Sequence, residues 1–199
     1  MLTDDDHTRR PWNPPAPAWP FPAAYHGERV SLSALTTDNY VLLPPLFRDE
    51  DNPFVDGRFT NEGLLYVYVR ELHYLAAPSR RRGGMDYLVY AADDPSRPHG
   101  IAHLFNLHAD VPDATPEVGL MIGRRRRRRG LGRATVLLLE ELLLTLRPGT
   151  REVAARILPA NTPSLRLFED LGYRVRSGGG EEPLRLVKTL APPDPPAQL

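Results

Sequence analysis

The residue types and spacings that could do chemistry fall at positions 117–173. An apolar, strand-like run, Glu117-Val118-Gly119-Leu120-Met121-Ile122, leads into Gly123 and six consecutive arginines at 124–129. Gly130-Leu131-Gly132-Arg133-Ala134 follows and opens a long leucine-rich stretch that reads as a helix. A strand feeding a glycine-bearing loop and a helix start suits a phosphate. The first N–H groups of a helix have no partner within it, and the helix dipole favours an anion there. Gly130 and Gly132 have no side chain to obstruct a pyrophosphate. Two familiar nucleotide patterns do not fit. A P-loop needs Gly-Lys-Ser/Thr at its end, and Gly132 is followed by Arg133-Ala134. A Gly-x-Gly-x-x-Gly fingerprint meets Thr135 where its third glycine should stand.

The elements that must position this segment alternate along the chain. Residues 29–35 alternate polar and apolar and predict a strand. Thr37 or Asp38 can cap a first helix that Pro44 and Pro45 interrupt or end. Thr60 can cap a second helix over 61–77, stopped by Pro78. Residues 85–92, 101–108 and 117–122 predict three strands, the first two a hairpin around Asp93-Asp94-Pro95-Ser96. A helix over 131–147 ends at Pro148-Gly149, and a strand follows at 151–158. A short helix over 163–171 closes on Gly172, a glycine in the usual position past a helix end. Strands at 173–176 and 184–190 complete the order. The result is a mixed α/β domain around one sheet with helices on both faces, and no internal repeat. Residues 1–26, with six prolines between Pro11 and Pro22, read as an extended arm, and 191–199 as a proline-rich tail.

Arg127-x-x-Gly130-x-Gly132 resembles the Gln/Arg-x-x-Gly-x-Gly/Ala motif of the GNAT superfamily, the acyl-CoA-dependent N-acetyltransferases. Asn161-x-x-Ser164 followed by Leu171-Gly172-Tyr173 is similar to a second segment of that superfamily. Glu117-Val118-Gly119 and Gly27-Glu28-Arg29-Val30-Ser31-Leu32 resemble strands of its Rim-type branch, the ribosomal-protein N-acetyltransferase-like members. The resemblance covers residues 27–190.

The resemblance implies a mixed, mostly antiparallel sheet that splays into a V after the strand ending at Ile122. Acetyl-CoA would lie in the V, its pantetheine amides bonded to backbone at Leu120, Met121 and Ile122. Backbone amides of Arg127, Arg128, Arg129, Gly130, Leu131, Gly132 and Arg133 would hold the pyrophosphate. The Asn161 side chain would bond the pantetheine arm. An amine would attack the thioester directly, which asks for a base and for a donor to the developing oxyanion. Glu117 is the first candidate base by motif position, with Asp110, Asp113, His103 and His108 as alternatives. Many members protonate the leaving thiolate with a tyrosine four residues after the Ser164 position. Here that residue is Phe168, so Ser164 substitutes or CoA leaves unassisted. Many members also have glycine at position 128. Arg128 fits there if its φ is negative.

Composition narrows the alternatives. The 199 residues carry 25 basic and 25 acidic groups, so no net field draws the molecule to DNA or a membrane. The absence of cysteine excludes disulfides and thiolate chemistry. No apolar run suits a membrane span or a secretory signal, which makes a soluble cytoplasmic protein the expectation. Some of the six arginines are expected on CoA phosphates, the rest solvated or paired with Glu140, Glu141 or the acidic arm. Nucleic acid is a minor alternative partner and metal is not expected, since His103 and His108 face opposite sides of a regular strand. The acceptor would be an amine-bearing small molecule, peptide or protein N-terminus. A non-catalytic acyl-CoA-binding module is the alternative from another class. The leucine-rich helix is expected in the core. Phe47, Phe54 and Phe59 either fill core or line an acceptor pocket.

Overall fold

The computed structural model describes residues 22–48, 53–55, 57–75, 83–107 and 115–190, with backbone alone for 70–75. His108, Asp110 and Asp113, most of the proline-rich arm and the tail lie outside the described residues.

Eight strands form one sheet: β1 (Ala24–His26), β2 (Val30–Ala34), β3 (Met85–Ala91), β4 (Gly100–Phe105), β5 (Glu117–Ile122), β6 (Glu152–Ile157), β7 (Arg174–Gly179) and β8 (Glu182–Thr189). Their spatial order is β1-β2-β3-β4-β5-β6-β8-β7. Every neighbouring pair is antiparallel except β5 and β6, which are parallel. β1 is a correction to the sequence reading. Ala24–His26 pairs with Ser31–Ser33, so the boundary at 26/27 falls inside a hairpin. Three residues are too few for alternation to show against the prolines before them.

Helices cover both faces. On one, α3 (Leu131–Leu146) and α4 (Thr162–Asp170) pack on Val118, Ile122, Val153, Ala155 and Ile157. α3 is a core helix as expected: Val136, Leu139, Leu142 and Leu143 are fully buried, and Leu137 alone among its leucines is 42% exposed. On the other face, α1 (Pro44–Phe47) and α2 (Glu62–Leu75) enclose a second cluster with Leu88 and Ile101. Phe47 and Phe59 are buried in it, which settles them as core residues. Strand β4 is buried almost throughout because both its faces are covered.

The first helical region departs from expectation. A single 3₁₀ turn spans Tyr40–Leu42, and Pro44 then starts α1 rather than ending a helix. A proline at the first helical position loses no hydrogen bond, because that N–H would be unpaired anyway. Asn39, not Thr37 or Asp38, organises the entry: its amide donates to the Ala34 carbonyl and its Oδ1 accepts from Thr36 N–H.

Lys188 is the single lysine of the chain. Its Nζ donates to Glu140 Oε2 at 2.6 Å, and the Tyr173 hydroxyl donates to Glu140 Oε1 at 2.9 Å. Glu140 is buried on α3, so this pair ties the central helix to β8. Burial and the adjacent carboxylate push the Tyr173 hydroxyl far above its ordinary titration range. Removing one partner leaves a buried charge uncompensated, which typically costs about 3–5 kcal/mol. Lys188→Met is therefore expected to destabilise the fold by about 3 kcal/mol in urea titration. The double variant Glu140→Leu/Lys188→Met should recover most of the loss. Equal stability of Lys188→Met and the parent would contradict the role of this pair.

Candidate active site

β5 and β6 share a single register pair, Glu117 with Ala154. At this pair the Ala154 N–H donates to the Pro116 carbonyl at 2.8 Å. Past that point the strands part, leaving a wedge-shaped gap in the sheet, the V that the resemblance implied. Backbone direction alternates along a strand. Since Pro116 faces β6, Val118, Leu120 and Ile122 also turn their backbone groups to the gap. Met121 turns its carbonyl the other way, toward Gly100 of β4. Of the three expected pantetheine contacts, Met121 is thus on the wrong side, while its side chain packs near the α2 cluster. The Ile122 carbonyl accepts from Arg127 Nε at 2.9 Å. Leu120 is left as the gap-facing residue with no sheet partner on that side.

The loop after β5 begins with a 3₁₀ turn, Arg124–Arg126, and ends at Gly130, which caps α3 with φ of +77°. That left-handed conformation suits glycine. No side chain caps the helix, so its first N–H groups stay directed outward. Arg128 has φ of +58°, contrary to the negative φ its side chain would favour. This is the backbone state for which a glycine at 128 carries no steric cost; an L-residue there pays roughly 1 kcal/mol. Gly132 faces Leu167 and Leu120, with a Cβ position 3.3 Å from the Leu167 side chain, so it serves close helix packing as well as access.

The arginines divide by task. Arg127 ties the loop to β5. Arg126 bonds Asp93 at 3.2 Å and Asp94 at 2.6 Å in the β3–β4 turn. Among the described residues these carboxylates, rather than Glu140 or Glu141, are its counter-ions, and the acidic end of the arm lies outside the described residues. Glu140 is taken by Lys188 and Tyr173, and Glu141 Oε1 accepts from the Tyr25 hydroxyl. The sequence reading missed Arg29, whose guanidinium donates to the Arg129 carbonyl at 3.3 Å and lies against Gly130. A cleft of about 780 Å³ opens between Leu46 of α1, His99 and Arg124. None of its walls comes from β6 or α4, so it is separate from the gap.

Asn161 caps α4, accepting from Ser164 N–H at 3.4 Å. Its Oδ1 is thereby committed locally, and its Nδ2 is the part that can reach a ligand. Phe168 is buried edge-on against Tyr173, 4.9 Å between centroids. Glu117 is 15% exposed at the apex of the gap, where both carboxylate oxygens accept from Arg156 Nε at 3.0 and 3.2 Å. Arg156 was also missed; its exposed position on β6 gave no signal until the gap was known.

On the α2 face beside Glu117, His103 pairs across the sheet with Gly119 on one side and Asp86 on the other. His103 Nδ1 and Asp86 Oδ1 are 2.7 Å apart. The His103 ring stacks on Phe105 and tilts against Phe59. Among the described residues no cluster of three or more metal-ligating side chains occurs.

Hydrogen bonds from Ser96 and Arg126 hold Asp94 down at about 2. A depressed carboxylate stabilises the fold above its ordinary value of about 4, and that contribution is lost as pH falls through its folded value. Asp94→Asn should therefore melt below the parent at neutral pH, and the difference should shrink between about pH 4 and 2. A difference independent of pH would show that Asp94 does not anchor the loop by charge.

The model for the GNAT acetyltransferase domain matches residues 48–174, more than half of the chain. No curated protein matches it. Among solved structures, the ribosomal-protein-S5-alanine acetyltransferase of Vibrio fischeri is similar over 86% of this chain and 97% of its own, with a TM-score of 0.66 and 14% identity. RimJ of Mycobacterium smegmatis, in complex with CoA-disulfide, is similar over 80% of this chain and 81% of its own, with a TM-score of 0.61 and 16% identity. A chimera of spermidine N-acetyltransferase SpeG from Vibrio cholerae and hSSAT is similar over 81% and 96%, with a TM-score of 0.62 and 13% identity. At these identities the likeness is one of fold, and it coincides with the split sheet and the Gly130-capped helix. By the domain match, the chain belongs to the GNAT acetyltransferase family.

Proposed function

We propose that residues 27–190, together with β1, form an N-acetyltransferase that moves an acetyl group from acetyl-CoA directly to a primary amine. The observation that carries this reading is the single β5–β6 pair, which opens a gap lined by backbone and pointed at the start of α3. The Leu120 backbone is the group for a pantetheine amide, with the Asn161 Nδ2 opposite. The N–H groups of 128–133 suit a pyrophosphate, because they sit at an uncapped helix start. Chain direction and an extended, amide-bearing ligand fit this shape better than a compact nucleotide does.

Glu117 is the proposed base for the acceptor ammonium. It sits at the apex, where a thioester between the parting strands would place its reactive carbon. Arg156 fixes the carboxylate and keeps it oriented. Ser164, in the first turn of α4, is the proposed hydroxyl for the leaving thiolate in place of the apolar Phe168. The acceptor belongs to the class of amine-bearing small molecules, peptides and protein N-termini. A Rim-type acceptor, a protein N-terminus, is the more specific form of the proposal. No helix of the described residues is long and apolar enough to cross a membrane.

Glu117→Gln should keep acetyl-CoA affinity and lower kcat by about 10²-fold or more in a CoA-release assay over a panel of amines. Unchanged turnover would remove Glu117 from the role. Acetyl-CoA binding by the wild type without CoA release for any amine would favour a non-catalytic acyl-CoA-binding module.

A further inference from the structure

We propose that His103, held by Asp86, is a second catalytic base, taking from the acceptor nitrogen the proton that Glu117 does not. The inference rests on the acetyl-transfer reading above. An ammonium acceptor must lose two protons to become an amide. Glu117 takes the first, giving a free amine. Its lone pair attacks the thioester carbon, the C–N bond forms, and the carbonyl pair moves to oxygen. The nitrogen of that adduct is cationic and still carries a surplus proton. His103 Nε2 takes it, the oxygen pair re-forms the carbonyl, and the C–S bond breaks to release CoA as thiolate. The thiolate takes a proton from water, or from Ser164, which regains it from water, and Glu117 and the imidazolium each release their proton to water as the amide leaves.

Three features of the site support this. First, the ring is oriented. A carboxylate only accepts, so at 2.7 Å His103 Nδ1–H donates to Asp86 Oδ1, which leaves Nε2 as the nitrogen with the lone pair. Phe59 and Phe105 hold the ring plane, the latter stacked at 12°. Second, Asp86 is 1% exposed and its Oδ2 has no hydrogen-bond partner. A buried carboxylate left half-satisfied is costly in packing alone. An imidazolium formed beside it supplies the missing charge. Third, the ring has access. His103 is 9% exposed, and among the described residues, chain neighbours aside, only its Cδ2 and Cβ lie within 4 Å of the place where a Cβ of Gly119 would stand. The ring edge at Cδ2, the carbon bonded to Nε2, therefore faces Gly119, two residues past the point where β5 leaves β6, and no β5 side chain covers it there. Glycine at 119 keeps that edge clear.

Of the charged and titratable groups on this face, Asp86 of β3 contacts His103 directly, Glu117 of β5 is held by Arg156 of β6, and Arg58 and Tyr68 flank Phe59, the ring that tilts on His103. The test uses the full chain as wild type, His103→Gln, His103→Ala and Asp86→Asn. Acetyl-CoA binding, melting temperature, and kcat from about pH 5 to 9 are measured with an amine the wild type accepts. His103→Gln and His103→Ala should bind acetyl-CoA as the wild type does, lose about 10²-fold or more in kcat, and drop one ionisation from the acidic limb. Asp86→Asn should shift that limb to lower pH, because the negative neighbour that favours the imidazolium is gone. A His103→Gln enzyme within about twofold of wild-type kcat, a drop far below the catalytic range, would overturn the proposal. So would a loss of activity that keeps the acidic limb and follows a loss of fold. If both His103 variants fail to fold, the isosteric Asp86→Asn decides, and an unmoved limb overturns the proposal. A wild type that binds no acetyl-CoA overturns the acetyl-transfer reading and this inference with it. A wild type that transfers while His103→Gln transfers equally overturns this inference alone.

Discussion

The parting of two parallel strands after one residue pair is the constraint on which the rest of the structure depends. A strand edge inside a sheet presents N–H and C=O groups that must be paired or hydrated. β5 is paired with β4 on one side and β6 with β8 on the other, yet beyond Glu117 and Ala154 neither has a partner across the gap. Such an edge is a standing invitation to an extended ligand with amides of its own. α3 must then begin where the gap ends, and Gly130 in the left-handed region makes the turn that brings it there. Gly132 lets α3 lie close enough for Leu120 and Leu167 to pack beneath it.

Charge is distributed to hold this geometry rather than to advertise a binding surface. The run of six arginines looks like one basic patch, but two of them are structural. Arg126 is tied to the β3–β4 turn and Arg127 to the end of β5. Arg29 braces the same loop from the β1–β2 side. Beneath, Glu140, Tyr173 and Lys188 fix α3 to β8. Two further pairs lie on the α2 face: Glu117 with Arg156 at the gap's apex, and Asp86 with His103 across β3 and β4, opposite Gly119. In the proposed reaction, that face is where an amine would meet the thioester.

Much of this was legible in the sequence, and the reasons are local. Alternation and long apolar runs located β2 to β6, α3 and α4 to within a residue or two, except that β4 ends at Phe105 rather than 108. Glycine past α4 and the glycines before α3 marked helix ends by backbone requirement. Arg127-x-x-Gly130-x-Gly132 marked the loop by motif. What escaped was set by partners distant in the chain. β1 is too short to show a period, and Pro44 reads as a helix breaker although it begins α1. Asp86 looked like one polar residue in an apolar strand until the β3–β4 register put it opposite His103. Arg156 gained meaning only once its strand was seen to leave β5 beside Glu117. Which of Leu120, Met121 and Ile122 faces the gap depends on the pairing of β5 with β6 at Pro116 and Glu117, which no composition or spacing reveals.

The most direct test of this account is hydrogen exchange at individual amides with and without saturating acetyl-CoA. Protection should appear at Leu120 and across 128–133, on the gap side of the loop, with Met121 unchanged because its backbone already faces β4. Protection confined to the cleft beside Leu46 and His99, or none at Leu120 and the start of α3, would contradict the claim that the parted strands and the uncapped helix form the site.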